Sequence, residues 1–293
     1  MAAEKPTRFS LASLTRLPAC PLGRISFFIT NGAVTGRCTH NYPNIAQTPA
    51  SRSPYGHECR SLFYAPEGWE LLGADASGLE LRMLAHYMAR YDGGEYAKII
   101  LEGDIHSVNQ LAAGLPTRDD AKTFIYAFLY GAGPVKIGSI VSPLAVEEAQ
   151  KSIGVKLMNS FLNKTPALKR LREDVKAAAK RKGYLVGLDG RHLHVRSLHA
   201  ALNTLLQSAG AIVMKKATVN FYPLQLNAGF EFGKDFGNCA NIHDEYQELI
   251  RKGLGDTIGP LAVQAIRNSG EYFGLRMPLD GEYKVGKSWA ETH

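Results

Sequence analysis

From residue 105 to residue 222 the apolar residues of this chain return mostly at helical spacing, while patterns suited to β-strands lie before and after that stretch. Residues 69–75 form a short, nearly continuous apolar run of the kind a buried strand shows. Residues 239–250 alternate about a His243-Asp244 tip, as a hairpin does. Strands this far apart in sequence can share a sheet only if the helices between them form an insertion. The expected fold class is therefore α+β, a small sheet carrying a large helical insertion.

The individual elements follow from local signals. Leu79, Leu81, Met83, Leu84, Tyr87 and Met88 recur at helical spacing over 78–91, and Gly93-Gly94 stops the run. Further helices are expected at 105–113, 117–130, 145–162, 166–181, 198–222 and 256–268, the fourth opened by Pro166 behind Thr165. A second hairpin at 184–195 turns at Asp189-Gly190. Residues 31–60, rich in Gly, Pro, Thr, Asn and Arg, read as surface loop, and a Gly-rich tail follows 268. Residues 1–28 hold Lys5, Arg8, Arg16 and Arg24 against a single acid, Glu4, as a mitochondrial transit peptide would. Pro18 and Pro21 interrupt any periodicity there, which leaves residues 1–29 as a leader of unknown role, with targeting as the alternative.

The helix expected at 117–130 carries chemistry. Arg118, Lys122, Tyr126 and Tyr130 recur every fourth position, and four residues advance a helix by about 400°, so the side chains form one slowly winding ridge. Two cations at one end suit a polyphosphate, and two aromatic rings at the other suit a base. Thr117 is a good N-cap with Asp120 three residues later, and Gly131 and Gly133 end the run. A ridge met alone is also the pattern of an ordinary solvated basic face. The net charge of +7 favours an anionic partner, nucleic acid among them. No run of eighteen apolar residues suggests a membrane span, and the four cysteines show no CxxC spacing for a zinc or redox site.

Two carboxylates stand where strand ends present side chains to a cleft: Asp75 closes the apolar run, and Asp244 sits at the hairpin tip beside Glu245. Oxygen donors with open positions suit Mg²⁺, which keeps waters and binds substrate phosphates. Two such ions about 4 Å apart activate a hydroxyl and stabilise a pyrophosphate leaving group. Together with the cationic ridge, phosphoryl transfer accounts for these residues better than caps and turns do.

Three blocks in order resemble family A, Pol I-like, DNA polymerases, with a pattern like that of the replicative polymerases of short-tailed bacteriophages: DASGLELR (75–82), RDDAKTFIYAFLYG (118–131) and HDE (243–245). TGRCTHNYPNIAQ (35–47), HVRSLHAALNTLLQSAGA (194–211) and the closing GKSWAETH extend the resemblance over about residues 30–293. The resemblance implies a small antiparallel palm sheet at 30–90 and 191–293 and a helical fingers insertion at 91–190, with no exonuclease or thumb domain in this chain. It implies template-directed DNA synthesis, with deoxynucleoside triphosphates and primer-template DNA as partners and two Mg²⁺ ions as cofactor. Asp75, the Ala76 carbonyl and Asp244 would hold the metals, with Asp75, Asp244 and Lys122 as catalytic residues. His106, Arg118 and Lys122 would contact the triphosphate, Tyr126 would stack on the nascent pair, and Glu80 would block a ribose 2′-hydroxyl. On the DNA, Arg37 and Gln207 would read minor-groove acceptors, His243 would touch the primer terminus, and Asn203 and Tyr130 the template side.

The pattern departs at His199, where many cellular members carry Arg. A second polypeptide carrying thumb and exonuclease is one expected partner, and the expected setting is the cytoplasm of an infected bacterium. A truncated remnant that binds primer-template without extending it is the alternative function, and a template-independent or RNA-synthesising transferase is a further one. The basic run Lys169, Arg170, Arg172, Lys176, Lys180, Arg181 and Lys182 suits either a phosphate track or a solvated face.

Overall fold

The structure is a computed structural model that describes residues 27–30 and 32–293. The leader expected at 1–29 falls outside the described residues as far as residue 26. The chain divides into two compact units. One takes in the residues up to Ser77, Ala211–Tyr272 and Leu279–His293; the other takes in Gly78–Gly210 and Phe273–Pro278.

The first unit opens with β1 (Phe28–Thr30), β2 (Thr39–Asn41), α1 (Gly56–Ser61) and β3 (Trp69–Ala76). The second holds α2 (Leu79–Asp92), α3 (Glu95–Glu102), α4 (Ile105–Ala113), α5 (Arg118–Leu129), α6 (Pro134–Val141), α7 (Glu147–Lys164) and α8 (Pro166–Lys182). The hairpin of β4 (Tyr184–Val186) and β5 (His192–His194) completes it. The helix α9 (Ala201–Asn227) starts in the helical unit and continues into the first at Ala211. After it come β6 (Phe236–Ile242), β7 (Glu245–Arg251), α10 (Gly255–Tyr272) and β8 (Gly281–Gly286).

The main sheet has the order β6-β7-β3-β8 and is antiparallel throughout. The strand at 69–76 lies inside this sheet, which is why its apolar run is nearly continuous: Leu72 and Ala74 are fully buried. Helix α10 packs against β3 and β8 through Ile258, Ala262 and Ile266, and Tyr246 donates to the Ala262 carbonyl at 3.0 Å. A Cβ at Gly259 would lie 2.2 Å from the Tyr283 ring, so that helix approaches β8 only because the position has no side chain. Burying the two isoleucines contributes on the order of 2 kcal/mol each, and the Ala262 methyl less than half of that.

The helical unit is built on an aromatic core. Phe124 and Phe128 of α5 stack 5.8 Å apart, and Phe161 of α7 meets both edge-on at 5.3 and 5.4 Å. The side of α5 carrying Phe124, Ile125, Phe128 and Leu129 is buried, and that leaves Arg118, Lys122 and Tyr130 exposed on the other side. Residues 31–60 are not loop throughout: they hold β2, a 3₁₀ turn at Ile45–Gln47 and α1. The Gly-rich tail contains β8, which the pairing with β3 stabilises more than its own composition does.

Candidate active site

In the sheet-bearing unit the register brings the acidic residues together. Asp75 pairs with Glu245 on β7 and with Glu282 on β8, and the Ala76 N–H donates to the Asp244 carbonyl at 3.0 Å. Pairing Ile242 with Glu245 leaves a two-residue turn, His243-Asp244, between β6 and β7. His243 has φ 59°, at the first central position, where hairpin turns of this form favour glycine. The turn sets Asp244 beside the end of β3. Solvent reaches Asp75 from its open side, yet the packed strands around it remove much of the surrounding water. Burial first, then Asp244 and Glu245, push its carboxyl up to about 7.

Glu245 behaves differently. Burial pushes its pKa up, but hydrogen bonds overcome this and hold it below the usual carboxylate value. Its Oε1 accepts from Gln247 Nε2 at 2.5 Å and Trp289 Nε1 at 2.8 Å, and His293 Nδ1 lies 2.8 Å from its Oε2. Thr292 in turn donates to Gln247 Oε1 at 2.9 Å. Gly73 lies beneath this network, where a Cβ would fall 2.5 Å from Gln247 Nε2. Both oxygens of Glu245 are thus occupied, and it acts as a fixed negative charge beside Asp75. A cavity of about 30 Å³ next to it is lined by Arg37, Lys215, Asn241 and His243. Burial, then Arg37, hold the His243 pKa below its ordinary value.

The helical unit gathers the cations. Thr117 caps α5, accepting the Asp120 N–H at 3.1 Å, as its sequence predicts. Arg118 occupies the first turn and Lys122 the next. Both act on His106 of α4, whose pKa is lowered by burial first, then by Arg118 and more weakly by Lys122. His106 Nδ1 is buried without a hydrogen-bond partner among the described residues. Tyr126 is half-buried, and it adds a little to the rise in the Tyr96 pKa that burial causes. Glu80 is buried in the first turn of α2, and Asn203 and Gln207 lie one turn apart on α9, both half-buried. The structure thus groups Asp75, Ala76, Asp244, His243 and Arg37 in one unit. Glu80, His106, Arg118, Lys122, Tyr126, Tyr130, Asn203 and Gln207 belong to the other.

Sequence reasoning missed Asp104, which binds Arg118, and the Gln247, Trp289, Thr292 and His293 network around Glu245. Asp104 carried one signal: an Asp two residues before His106, at the start of a helical run, is an N-cap. Among the described residues no group of three or more His, Cys, Asp or Glu is disposed to hold a metal ion, and no helix is long and apolar enough to cross a membrane.

A small antiparallel sheet with acids at adjacent strand ends, and a separate unit of packed helices with a cationic ridge, is the architecture of a Pol I-type polymerase domain. The polymerase domain of Pol1 from M. smegmatis, solved in complex with DNA primer-template and dNTP, matches this fold with a TM-score of 0.79 at 24% identity, over 96% of this chain and 50% of that one. The chain belongs to DNA polymerase family A, which it matches over residues 13–291. It is 48% identical over 288 residues to a DNA-directed DNA polymerase of Enterobacteria phage T3 and 46% identical over 288 residues to that of Escherichia phage T7. In both cases 90% of this chain is covered but 40% of the relative, so the chain spans about two fifths of their length. A thermostable DNA polymerase I of Thermus aquaticus is 28% identical over 89% of this chain and 32% of its own.

Proposed function

We propose that this chain adds deoxynucleotides to a primer 3′-hydroxyl under the direction of a template, releasing pyrophosphate. The observation that carries the reading is the pairing of Asp75 with Glu245, which sets the Asp75 and Asp244 carboxylates at adjacent strand ends with Asp75 pushed up to about 7. Mutual repulsion in a partly desolvated acidic pair is relieved by a divalent cation. The donors fit Mg²⁺, which needs a few oxygens and keeps its remaining waters. Asp75, Asp244 and the Ala76 carbonyl would hold two ions. Bound there, the ions would favour the 3′-alkoxide and take up charge on the departing pyrophosphate.

The chain's own residues supply the rest. Arg118, Lys122 and His106 bind the triphosphate, and Tyr126 stacks on the nascent base pair. Glu80 excludes a 2′-hydroxyl, which favours deoxynucleotides. Arg37 and Gln207 test pairing geometry at minor-groove acceptors, which are shared by all correct pairs. His243 meets the primer terminus, and Asn203 and Tyr130 the template. Residues 30–90 and 191–293 serve as palm and residues 91–190 as fingers. The phage relatives support replication inside an infected bacterial cell as the setting.

Single-nucleotide extension of a recessed primer-template tests this, run with Mg²⁺, without template, and with Asp244→Ala. Template-dependent addition that the substitution abolishes supports the reading. Primer-template binding without addition would instead favour a chain that only binds DNA.

A further inference from the structure

The nucleotide site proposed above has a component that the ridge alone does not reveal. Asp104 occupies the N-cap of α4. Its Oδ1 accepts the His106 backbone N–H at 3.1 Å and Arg118 Nη2 at 3.1 Å. Its Oδ2 accepts the Ser107 hydroxyl at 2.7 Å and Arg118 Nε at 2.6 Å. A carboxylate offers about four lone-pair sites, so this one is saturated. Two of its donors come from the first turn of α4, which fixes the carboxylate on the helix cap independently of Arg118.

The edge by which Arg118 is gripped matters. A guanidinium has five N–H donors in a rigid fork. Asp104 takes two of them along the Nε–Nη2 side. The remaining three, on Nη1 and the outer side of Nη2, form the terminal fork, and among the described residues no protein group engages it. The side chain is 52% exposed, so a phosphate can meet that fork end-on without displacing Asp104. A carboxylate acting as a competitor for phosphate would occupy the terminal fork itself. The observed grip instead removes rotamer freedom from Arg118 before any ligand arrives and leaves its phosphate-binding edge open.

We infer that Asp104 is a positioning residue for the triphosphate, holding the Arg118 guanidinium by its side edge so that the terminal fork is presented beside His106 and Lys122. This deepens the proposed function and rests on its assignment of Arg118.

The test is isothermal titration of the full chain with inorganic tripolyphosphate in the absence of metal, using Asp104→Asn, Arg118→Gln and the double variant. Asn keeps an N-cap oxygen for the His106 N–H, and circular dichroism checks that the helices remain; Asp104→Ser, also a good N-cap, repeats the measurement. Asp104→Asn is expected to weaken binding about three- to tenfold, although it removes a negative charge from the neighbourhood of an anion. In the Arg118→Gln background the same change is expected to give no loss, or a gain, because only the charge effect is left. Unchanged or tighter binding by Asp104→Asn in the native background overturns the inference alone, as does an equal loss in both backgrounds. If Arg118→Gln by itself leaves affinity unchanged, the nucleotide assignment of the ridge falls, and the role of Asp104 with it.

Discussion

Glu248 provides the sharpest energetic prediction. It sits in β7 opposite Leu72, 1% exposed, with Gln225 of α9 equally buried beside it. Gln225 Nε2 donates to Glu248 Oε2 at 2.5 Å, while Oε1 has no partner among the described residues. Burial, opposed only by that hydrogen bond, pushes the carboxyl from 4.5 up to about 8. Below pH 4.5 the folded and unfolded chains both hold the proton. Between 4.5 and about 8 the folded chain keeps a proton that the unfolded chain has lost, so stability falls as pH rises, by about 1.4 kcal/mol per unit. The full window of 3.5 units amounts to roughly 4 to 5 kcal/mol. Glu248→Gln removes the titration while keeping the shape. Urea denaturation of both proteins from pH 5 to 8.5 reads the difference, in which the titrations of all other groups cancel. Both tryptophans, Trp69 and Trp289, belong to the sheet-bearing unit, so their fluorescence follows the unit that holds Glu248. The variant should be within about 1 kcal/mol of the parent at pH 5 and more stable by several kcal/mol at pH 8. A difference that does not change with pH would refute the argument.

Three further outcomes are expected. Glu80→Ala should raise ribonucleotide incorporation relative to deoxynucleotide in a primer-extension assay, and an unaltered sugar preference would remove Glu80 from that role. Phe161→Ala empties the space packed against both Phe124 and Phe128 and should cost about 3 to 5 kcal/mol, read from urea melts by far-ultraviolet circular dichroism; a loss under 1 kcal/mol would mean that the core refills. Gly259→Ala drives a methyl into the Tyr283 ring and should destabilise by about 1 to 3 kcal/mol, with Tyr283→Leu in the same chain restoring part of the loss.

Which parts of this molecule could be read from its sequence follows from the range of the forces involved. The helices at 105–113 and 117–130 are short amphipathic runs, the second capped by Thr117 and burying one face only, so local pattern located both within a residue or so. Helices α3 and α6 have eight residues each and are bounded by glycines or a proline, too short for periodicity to stand out. Strand β8 was hidden because its partner in pairing, β3, lies some two hundred residues earlier. Asp75 and Asp244 were legible as a pair of strand-end acids. The bond from Trp289 to Glu245 was not, since a hydrogen bond across 44 positions leaves no periodic trace. The grip of Asp104 on Arg118 was hidden in the same way, each residue having a sufficient local explanation as a cap and as part of a basic face.

The backbone of His243 has a consequence for anyone seeking a hardier version of this protein. A side chain at φ 59° costs about 1 kcal/mol or more that glycine would not incur, so His243→Gly is the exchange a stability-guided redesign would choose first. The same exchange deletes an imidazole held beside Arg37 and next to Asp244. On the role proposed for His243 at the primer terminus, heat tolerance and turnover should pull in opposite directions at this position, and a library sorted on melting temperature alone would enrich sequences that have lost that contact.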